Sequence, residues 1–187
     1  LDDGQQVAAR AVVIATGARY RKLDVPNYER YEGQGIHYAA TPMEGKLCAG
    51  EEVVVVGGGN SAGQAAVFLS QTVRRVHLLV RAGGLASSMS RYLIRRIEES
   101  PGIELRVHTT LTALEGTDHL ERVRWRDNVT GVEEERPIRH VFIMTGAVPS
   151  TGWLDGCLAR DEKGFIRTGP GLGPEDLNKE RVEVVSG

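Results

Sequence analysis

A run of β-branched residues that ends in three glycines constrains this fold more than any other feature of the sequence. Glu52–Val56 holds four consecutive valines, which is typical of a strand buried on both faces of a parallel sheet. The glycines at 57–59 end that strand, and 76–80 predicts another. Between them, apolar side chains recur at helical spacing, namely Ala62, Ala65, Ala66, Phe68 and Leu69. Strand, glycine turn, helix and strand within about 30 residues predict a βαβ unit.

The segments that follow extend this pattern and then change it. Residues 89–99 predict a second helix, and 103–107 predict a third parallel strand. From residue 110, short apolar segments between turn residues predict a small antiparallel meander. The apolar run 140–144 predicts the last strand. The expected fold class is therefore α/β: a three-layer Rossmann-like domain with a parallel sheet and a small antiparallel meander.

The ends of the chain differ from this domain. Asp3-Gly4 is a hairpin-turn signal, and the apolar run 7–14 after it predicts a strand. The polar stretch 19–35 predicts a linker, with a domain boundary near residue 22. Little ordered structure is expected after about residue 170. Because the chain also lacks an initiator Met, we expect it to be part of a larger protein.

Composition excludes several classes of partner. The 23 Lys+Arg and 25 Asp+Glu give a net charge of −2, so no strong positive field attracts nucleic acid or an anionic membrane. The apolar runs are too short to span a bilayer, and we expect a cytoplasmic protein. Cys48 and Cys157 form no CxxC motif, and the five histidines show no paired metal spacing. No metal site is therefore expected.

The glycine turn has the residue pattern GxGxxA, which is made by Gly57, Gly58, Gly59, Asn60, Ser61 and Ala62. Its position between a strand and a helix places free N–H groups and the positive end of the helix dipole where a pyrophosphate binds. The first glycine allows the tight turn, the second allows close approach to phosphate, and the alanine allows close helix packing. The alternative is an ordinary structural turn between strand and helix.

The end of the second strand indicates which dinucleotide binds. An NAD site has a carboxylate there for the ribose 2′-hydroxyl, but this sequence has Arg81. A guanidinium pairs with a 2′-phosphate through charge-assisted hydrogen bonds, so the sequence favours NADPH. Arg91 is a second candidate contact, with a solvated helix arginine as the alternative.

Two further elements complete a family resemblance. Ala15-Thr16-Gly17 precedes the glycine turn, and 145–151 follows it with the pattern TGxxPxT. With these elements the chain resembles, over about residues 5–168, the thioredoxin reductase branch of flavin-dependent pyridine-nucleotide oxidoreductases. In that family an NADPH domain is inserted into an FAD domain, and hydride passes from nicotinamide to flavin.

The resemblance implies domains and site residues. It implies the end of an FAD-binding domain at 1–22, an NADPH-binding domain at 23–147, and a truncated return into the FAD-binding domain at 148–187. It implies that Ala15, Thr16 and Gly17 contact FAD. NADPH would be bound by the residues of the glycine turn together with Arg81 and Gly146. No side chain is expected to act as a catalytic acid or base, because hydride transfer depends mainly on orientation.

The sequence departs from the family in two ways. The cysteine positions of the family's redox CxxC motif are occupied by Ala39 and Pro42, so reduction of thioredoxin through that motif is in doubt. The FAD-binding glycine motif and the Gly-Asp flavin motif are also absent. The chain alone is therefore expected to bind NADPH but not to hold FAD tightly.

These observations support two functions for the intact protein. One is a flavoprotein oxidoreductase that passes hydride from NADPH to FAD and on to an unidentified small-molecule or protein acceptor. The other is a non-catalytic NADPH-sensing module of a regulatory protein. Cys48 and Cys157 are interpreted as packed or idle thiols, and His37 and Tyr38 are weak candidates for contact with the flavin. The sequence leaves open whether the protein is a homodimer.

Overall fold

The computed structural model describes residues 8–174. The chain forms two compact units. One is the continuous segment Tyr20–Gly146, and the other includes residues 8–19 and 147–174. No helix in the described part of the chain is long and apolar enough to cross a membrane. The domain limits 22 and 147 stay a prediction about the intact protein.

Ten strands and three α-helices make up the described chain. The strands are β1 (Ala18–Tyr20), β2 (Ile36–His37), β3 (Glu52–Val56), β4 (Arg75–Leu79), β5 (Ile103–Arg106), β6 (Thr109–Glu115), β7 (Arg122–Asp127), β8 (Glu133–Arg136), β9 (Val141–Ile143) and β10 (Ala147–Pro149). The helices are α1 (Pro42–Leu47), α2 (Asn60–Leu69) and α3 (Arg91–Glu98). Short 3₁₀ helices span Tyr28–Tyr31, Gly152–Leu154 and Gly169–Gly171.

A five-stranded parallel sheet with the order β2-β9-β3-β4-β5 forms the centre of the Tyr20–Gly146 unit. The valines of β3 alternate between its two faces, as the two-residue period of a strand requires. Val53 and Val55 pack with the helices α2 and α3, whereas Val54 and Val56 pack with the meander on the other face. Burial on both faces explains the continuous apolar run of β3.

The helical layer is built on small side chains. Ala62 and Ala66 of α2 are fully buried, so this helix approaches the sheet closely. Leu93 and Ile97 form the buried face of α3, and the exposed face of that helix is rich in arginine. Thr41 caps α1 through a capping box with Glu44.

The third layer is the antiparallel meander β6-β7-β8. Trp125 of β7 is 1% exposed and forms the centre of its contact with the sheet. The Trp125 ring centroid lies 5.2 Å from that of His77 in β4, and the Arg106 Cζ lies 5.0 Å from the Trp125 ring centroid. The predicted three-layer α/β fold is confirmed.

The second unit contains fewer regular elements. Strands β1 and β10 form a two-stranded sheet, and the Ser150 N–H donates a 3.0 Å hydrogen bond to the Gly17 carbonyl. The Thr151 hydroxyl donates to the Gly164 carbonyl at 2.6 Å. Leu154 is buried within this unit.

Two predictions near the start of the chain are wrong. Residues 8–14 of the predicted strand 7–14 form no strand, and Val12 and Val13 are 76% and 89% exposed. An apolar run becomes a strand only by pairing, and no described strand pairs with it. The predicted turn at Asp3-Gly4 lies outside the described residues, as does most of the chain after 170, where little order was expected.

The predicted linker 19–35 is instead part of the core. Val25, Tyr28 and Tyr31 are buried and pack with the meander side of the sheet. The Tyr31 hydroxyl donates to the Gly116 carbonyl at 2.9 Å, a contact across 85 residues of sequence. The polar and turn-forming residues around these aromatics concealed their packing role.

We predict that Trp125→Ala lowers the free energy of unfolding by about 3–5 kcal/mol, because it leaves a large cavity between the meander and the sheet. Urea denaturation followed by circular dichroism measures this loss.

The matched control is Trp153→Ala, which removes a tryptophan that is 62% exposed and is expected to change stability by less than about 0.5 kcal/mol. Equal losses in the two variants would contradict the proposed packing role of Trp125.

Candidate nucleotide-binding site

The turn from β3 into α2 requires glycine at its first position. Gly57 has φ of 149°, in a region that side chains rarely adopt. A Cβ atom there would lie 2.5 Å from the Met144 carbonyl oxygen and 3.0 Å from the Ala62 Cβ. The Gly57 N–H also donates to the Leu79 carbonyl at 3.1 Å. The turn is therefore held against the ends of the neighbouring strands, as the sequence predicted for this glycine.

The first turn of α2 presents free hydrogen-bond donors. Gly59 is the N-cap and supplies no side-chain cap. The first hydrogen bond of the helix runs from the Gly63 N–H to the Gly59 carbonyl at 3.1 Å. The N–H groups of Asn60, Ser61 and Ala62 consequently have no partner among the described residues. Free N–H groups and the positive end of the helix dipole suit a negatively charged group.

A loop before α3 holds the glycine turn in place. The Ser88 hydroxyl donates to the Gly58 carbonyl at 2.8 Å, and the Ser90 N–H donates to the Asn60 Oδ1 at 2.8 Å. The Asn60 side chain thus anchors this loop. The two serines were missed by sequence reasoning, because they lie about 30 residues from the turn and form no pattern with it.

Arg81 lies at the same edge of the sheet as the glycine turn. Strands β3 and β4 are parallel with Val56 opposite Leu79, so Gly57 and Val80 are neighbours and Arg81 is one residue further. The Arg81 side chain is exposed and makes no ion pair within the described part of the chain. A guanidinium free of protein partners is available to an anionic ligand.

Gly146 is the third predicted element at this edge. It follows β9, the other neighbour of β3, and has φ of 96°. Its carbonyl accepts a 3.0 Å hydrogen bond from the Arg21 N–H, and the Met144 N–H donates to the Val56 carbonyl at 2.8 Å. The fold therefore brings the glycine turn, Arg81 and Gly146 to the carboxyl end of three adjacent strands, where open α/β sheets bind ligands.

The predicted FAD contacts belong to the other unit. Ala15 and Thr16 are exposed, and Gly17 has φ of 67°. The positive φ explains why glycine ends this tripeptide. Their contact with FAD stays a prediction.

The positions of the missing redox cysteines are exposed. Ala39 follows β2, and Pro42 begins α1. Neighbouring Tyr38 stacks on Tyr20 with ring centroids 4.9 Å apart, and its hydroxyl contacts Tyr28 at 3.0 Å and the Glu32 carboxylate. Burial and the hydrogen bond with Glu32 raise the pKa of the Tyr38 hydroxyl. Tyr38 is thus a packing aromatic in the described structure.

The parallel sheet, the glycine turn and the uncapped helix define a Rossmann-like α/β domain. The chain belongs to the pyridine nucleotide-disulphide oxidoreductase family, whose family model matches residues 1–173. Members of this family are FAD-dependent oxidoreductases. The resemblance to the thioredoxin reductase branch is confirmed.

Similar proteins carry several names. The chain is 31% identical over 166 residues to a protein named alkyl hydroperoxide reductase F of Staphylococcus aureus (strain NCTC 8325 / PS 47), and 30% identical over 166 residues to a protein named NADH dehydrogenase of Bacillus subtilis (strain 168). Each match covers 89% of this chain and 32% of the relative. The structure is similar to thioredoxin reductase from Streptococcus pyogenes MGAS5005, with a TM-score of 0.71, 28% identity, and coverage of 82% of this chain and 50% of that one.

We predict that Gly57→Ala destabilises the turn by about 1–3 kcal/mol and abolishes dinucleotide binding, because the added methyl group collides with backbone rather than with a movable side chain. Thermal denaturation and calorimetric titration with NADPH measure the two effects.

The control is Gly84→Ala, since a Cβ at Gly84 would have no neighbour within 4 Å. Normal dinucleotide binding by the Gly57 variant would show that the turn does not carry the site.

Proposed function

We propose that the chain is the NADPH-binding part of a thioredoxin reductase-like flavoprotein oxidoreductase that passes hydride from NADPH to FAD and on to an acceptor outside the CxxC chemistry of the family. One observation carries the proposal. The glycine turn, the free N–H groups of α2 and the unpaired Arg81 guanidinium converge at one edge of the parallel sheet. This donor set matches the phosphates of a dinucleotide.

The residues of this chain contribute binding and orientation. The absence of a side chain at Gly57 and Gly59 leaves room for the pyrophosphate above the first turn of α2, whose N–H groups donate to it. Ser88 and Asn60 hold the turn rigid, which reduces the entropy lost on binding. When bound, NADPH supplies the hydride and FAD accepts it. No side chain is required as acid or base.

Arg81 determines the choice of nicotinamide cofactor in this proposal. A guanidinium at the end of β4 attracts a 2′-phosphate, whereas the ribose of NADH offers it only a hydroxyl. One relative carries the name NADH dehydrogenase, so cofactor choice requires a direct test.

The acceptor is the open part of the proposal. The family's two redox cysteine positions hold Ala39 and Pro42, so this motif supplies no dithiol. A ferredoxin-like protein, a quinone, oxygen, or a disulfide reduced through cysteines elsewhere in the intact protein are the acceptor classes compatible with this loss.

The loss of the dithiol also favours a second candidate, an NADPH-sensing module of a regulatory protein. In that case the nucleotide edge is retained and hydride transfer is not required. Reduction of flavin by NADPH in the full-length protein discriminates the two functions.

The first experiment mixes the full-length, FAD-loaded protein with NADPH or NADH in an anaerobic stopped-flow instrument and follows the absorbance of oxidised flavin. We expect rapid bleaching by NADPH and much slower bleaching by NADH. If nucleotide binds and the flavin stays oxidised, the oxidoreductase proposal fails and the sensor takes its place.

The second experiment tests Arg81. We predict that Arg81→Ala weakens NADPH binding by about 1–3 kcal/mol, the scale of a charge-assisted hydrogen bond, and barely changes NADH binding. Calorimetric titration with both nucleotides measures this difference. Arg126→Ala, which removes an exposed arginine from the meander, is the matched control and should change neither affinity. Equal losses for NADPH and NADH would remove Arg81 as the selector.

A further inference from the structure

Three side chains with metal-binding atoms meet away from the nucleotide edge. His37 ends β2, Cys48 follows α1 as its C-cap, and His140 directly precedes β9. One ligand atom from each residue lies within 4.8 Å of the others. The His37 Nε2 and the His140 Nδ1 are 3.1 Å apart. The fold thus brings together donors that are 103 residues apart in sequence, which histidine spacing alone did not predict.

This cluster lies mostly inside the protein. Cys48 is 0% exposed and His140 is 8% exposed, whereas His37 is half-buried. The His37 ring stacks on Phe142 with centroids 4.9 Å apart, which limits its rotation. The side chains are therefore held in place, with one route of access from the His37 side.

The donor set suits one kind of cation. Two imidazole nitrogens and a thiolate sulfur are ligands that zinc prefers. Tetrahedral zinc with ordinary bond lengths places two nitrogen ligands about 3.3 Å apart and a nitrogen and a sulfur about 3.6 Å apart. The observed separation of 3.1 Å between the nitrogens differs from this only slightly. Small side-chain adjustments suffice to close the cluster around an ion.

The surroundings are negatively charged. The Glu51 Oε2 lies 3.6 Å from the His140 Nε2, the nitrogen that does not face His37. A carboxylate beside the outer nitrogen of a metal-bound histidine is a recurring feature of zinc sites. Burial, and then the charges of Glu51 and Glu44, raise the pKa of the Cys48 thiol to about 12. A cation in the cluster would offset these charges, and its binding would release the thiol proton.

We propose that His37, Cys48 and His140 form a binding site for one zinc-like divalent cation, with a fourth coordination position left for water or another ligand. The site is independent of the proposed nucleotide function. Three protein ligands and an open position are typical of zinc sites that take part in chemistry, whereas structural sites have four protein ligands.

The test uses the full-length protein, stripped of metal with a chelator and titrated with Co²⁺, which replaces zinc and has visible absorption. We expect one Co²⁺ per chain to produce tetrahedral ligand-field bands and a thiolate-to-cobalt charge-transfer band, both removed by added Zn²⁺. Cys48→Ser should remove the charge-transfer band. His37→Gln and His140→Gln should each weaken Co²⁺ binding at least tenfold.

Cys157→Ser and His108→Asn are the matched controls, because each removes the same kind of side chain outside the cluster. Circular dichroism establishes that every variant is folded, and the half-buried position of His37 makes its variant the least disruptive. No Co²⁺ binding by the native protein would overturn the proposal. A charge-transfer band that persists in Cys48→Ser, or that disappears in Cys157→Ser, would also overturn it and would leave the three side chains as a packed hydrogen-bonded cluster.

Discussion

The burial of β3 on both faces is the constraint on which the rest of the structure depends. A strand in this position must be covered by one layer on each side and paired with a strand along each edge, because neither its side chains nor its backbone groups can remain exposed without cost. The helices, the meander, β4 and β9 meet these requirements. Since β3, β4 and β9 are parallel, Gly57, Arg81 and Gly146 all follow strands that end at the same edge.

The two ends of this sheet offer different chemistry. At the carboxyl end, glycine keeps side chains out of the turn, and the first backbone N–H groups of α2 remain available to an anion. At the amino end of β9, His140 meets His37 and Cys48 in a largely buried cluster beside Glu51. The length of β9, about 10 Å, separates the anion-attracting edge from the cation-attracting cluster. The same strand order therefore positions both sites.

Membership of the pyridine nucleotide-disulphide oxidoreductase family makes the differences from the family informative. The nucleotide edge follows the family pattern closely, whereas the two positions of its redox cysteines hold Ala39 and Pro42. Pro42 begins a capped helix, so the segment that would carry the dithiol here positions Cys48 beside two histidines. This segment retains a defined structure although the family's dithiol is missing, and the chemistry of the intact protein must differ from thiol exchange through that motif.

The sequence by itself determined the βαβ unit, the later strands and helix, the meander and the glycine turn, because these depend on the spacing of apolar residues and on glycine within short segments. It also identified Arg81, since the end of a strand can be located from the same local pattern. Only the tertiary structure decided that 8–14 forms no strand, that Tyr28 and Tyr31 join the core, and that His37, Cys48 and His140 meet. Each of these outcomes depends on partners that are distant in sequence, and strand order and packing bring such partners together with no trace in local spacing.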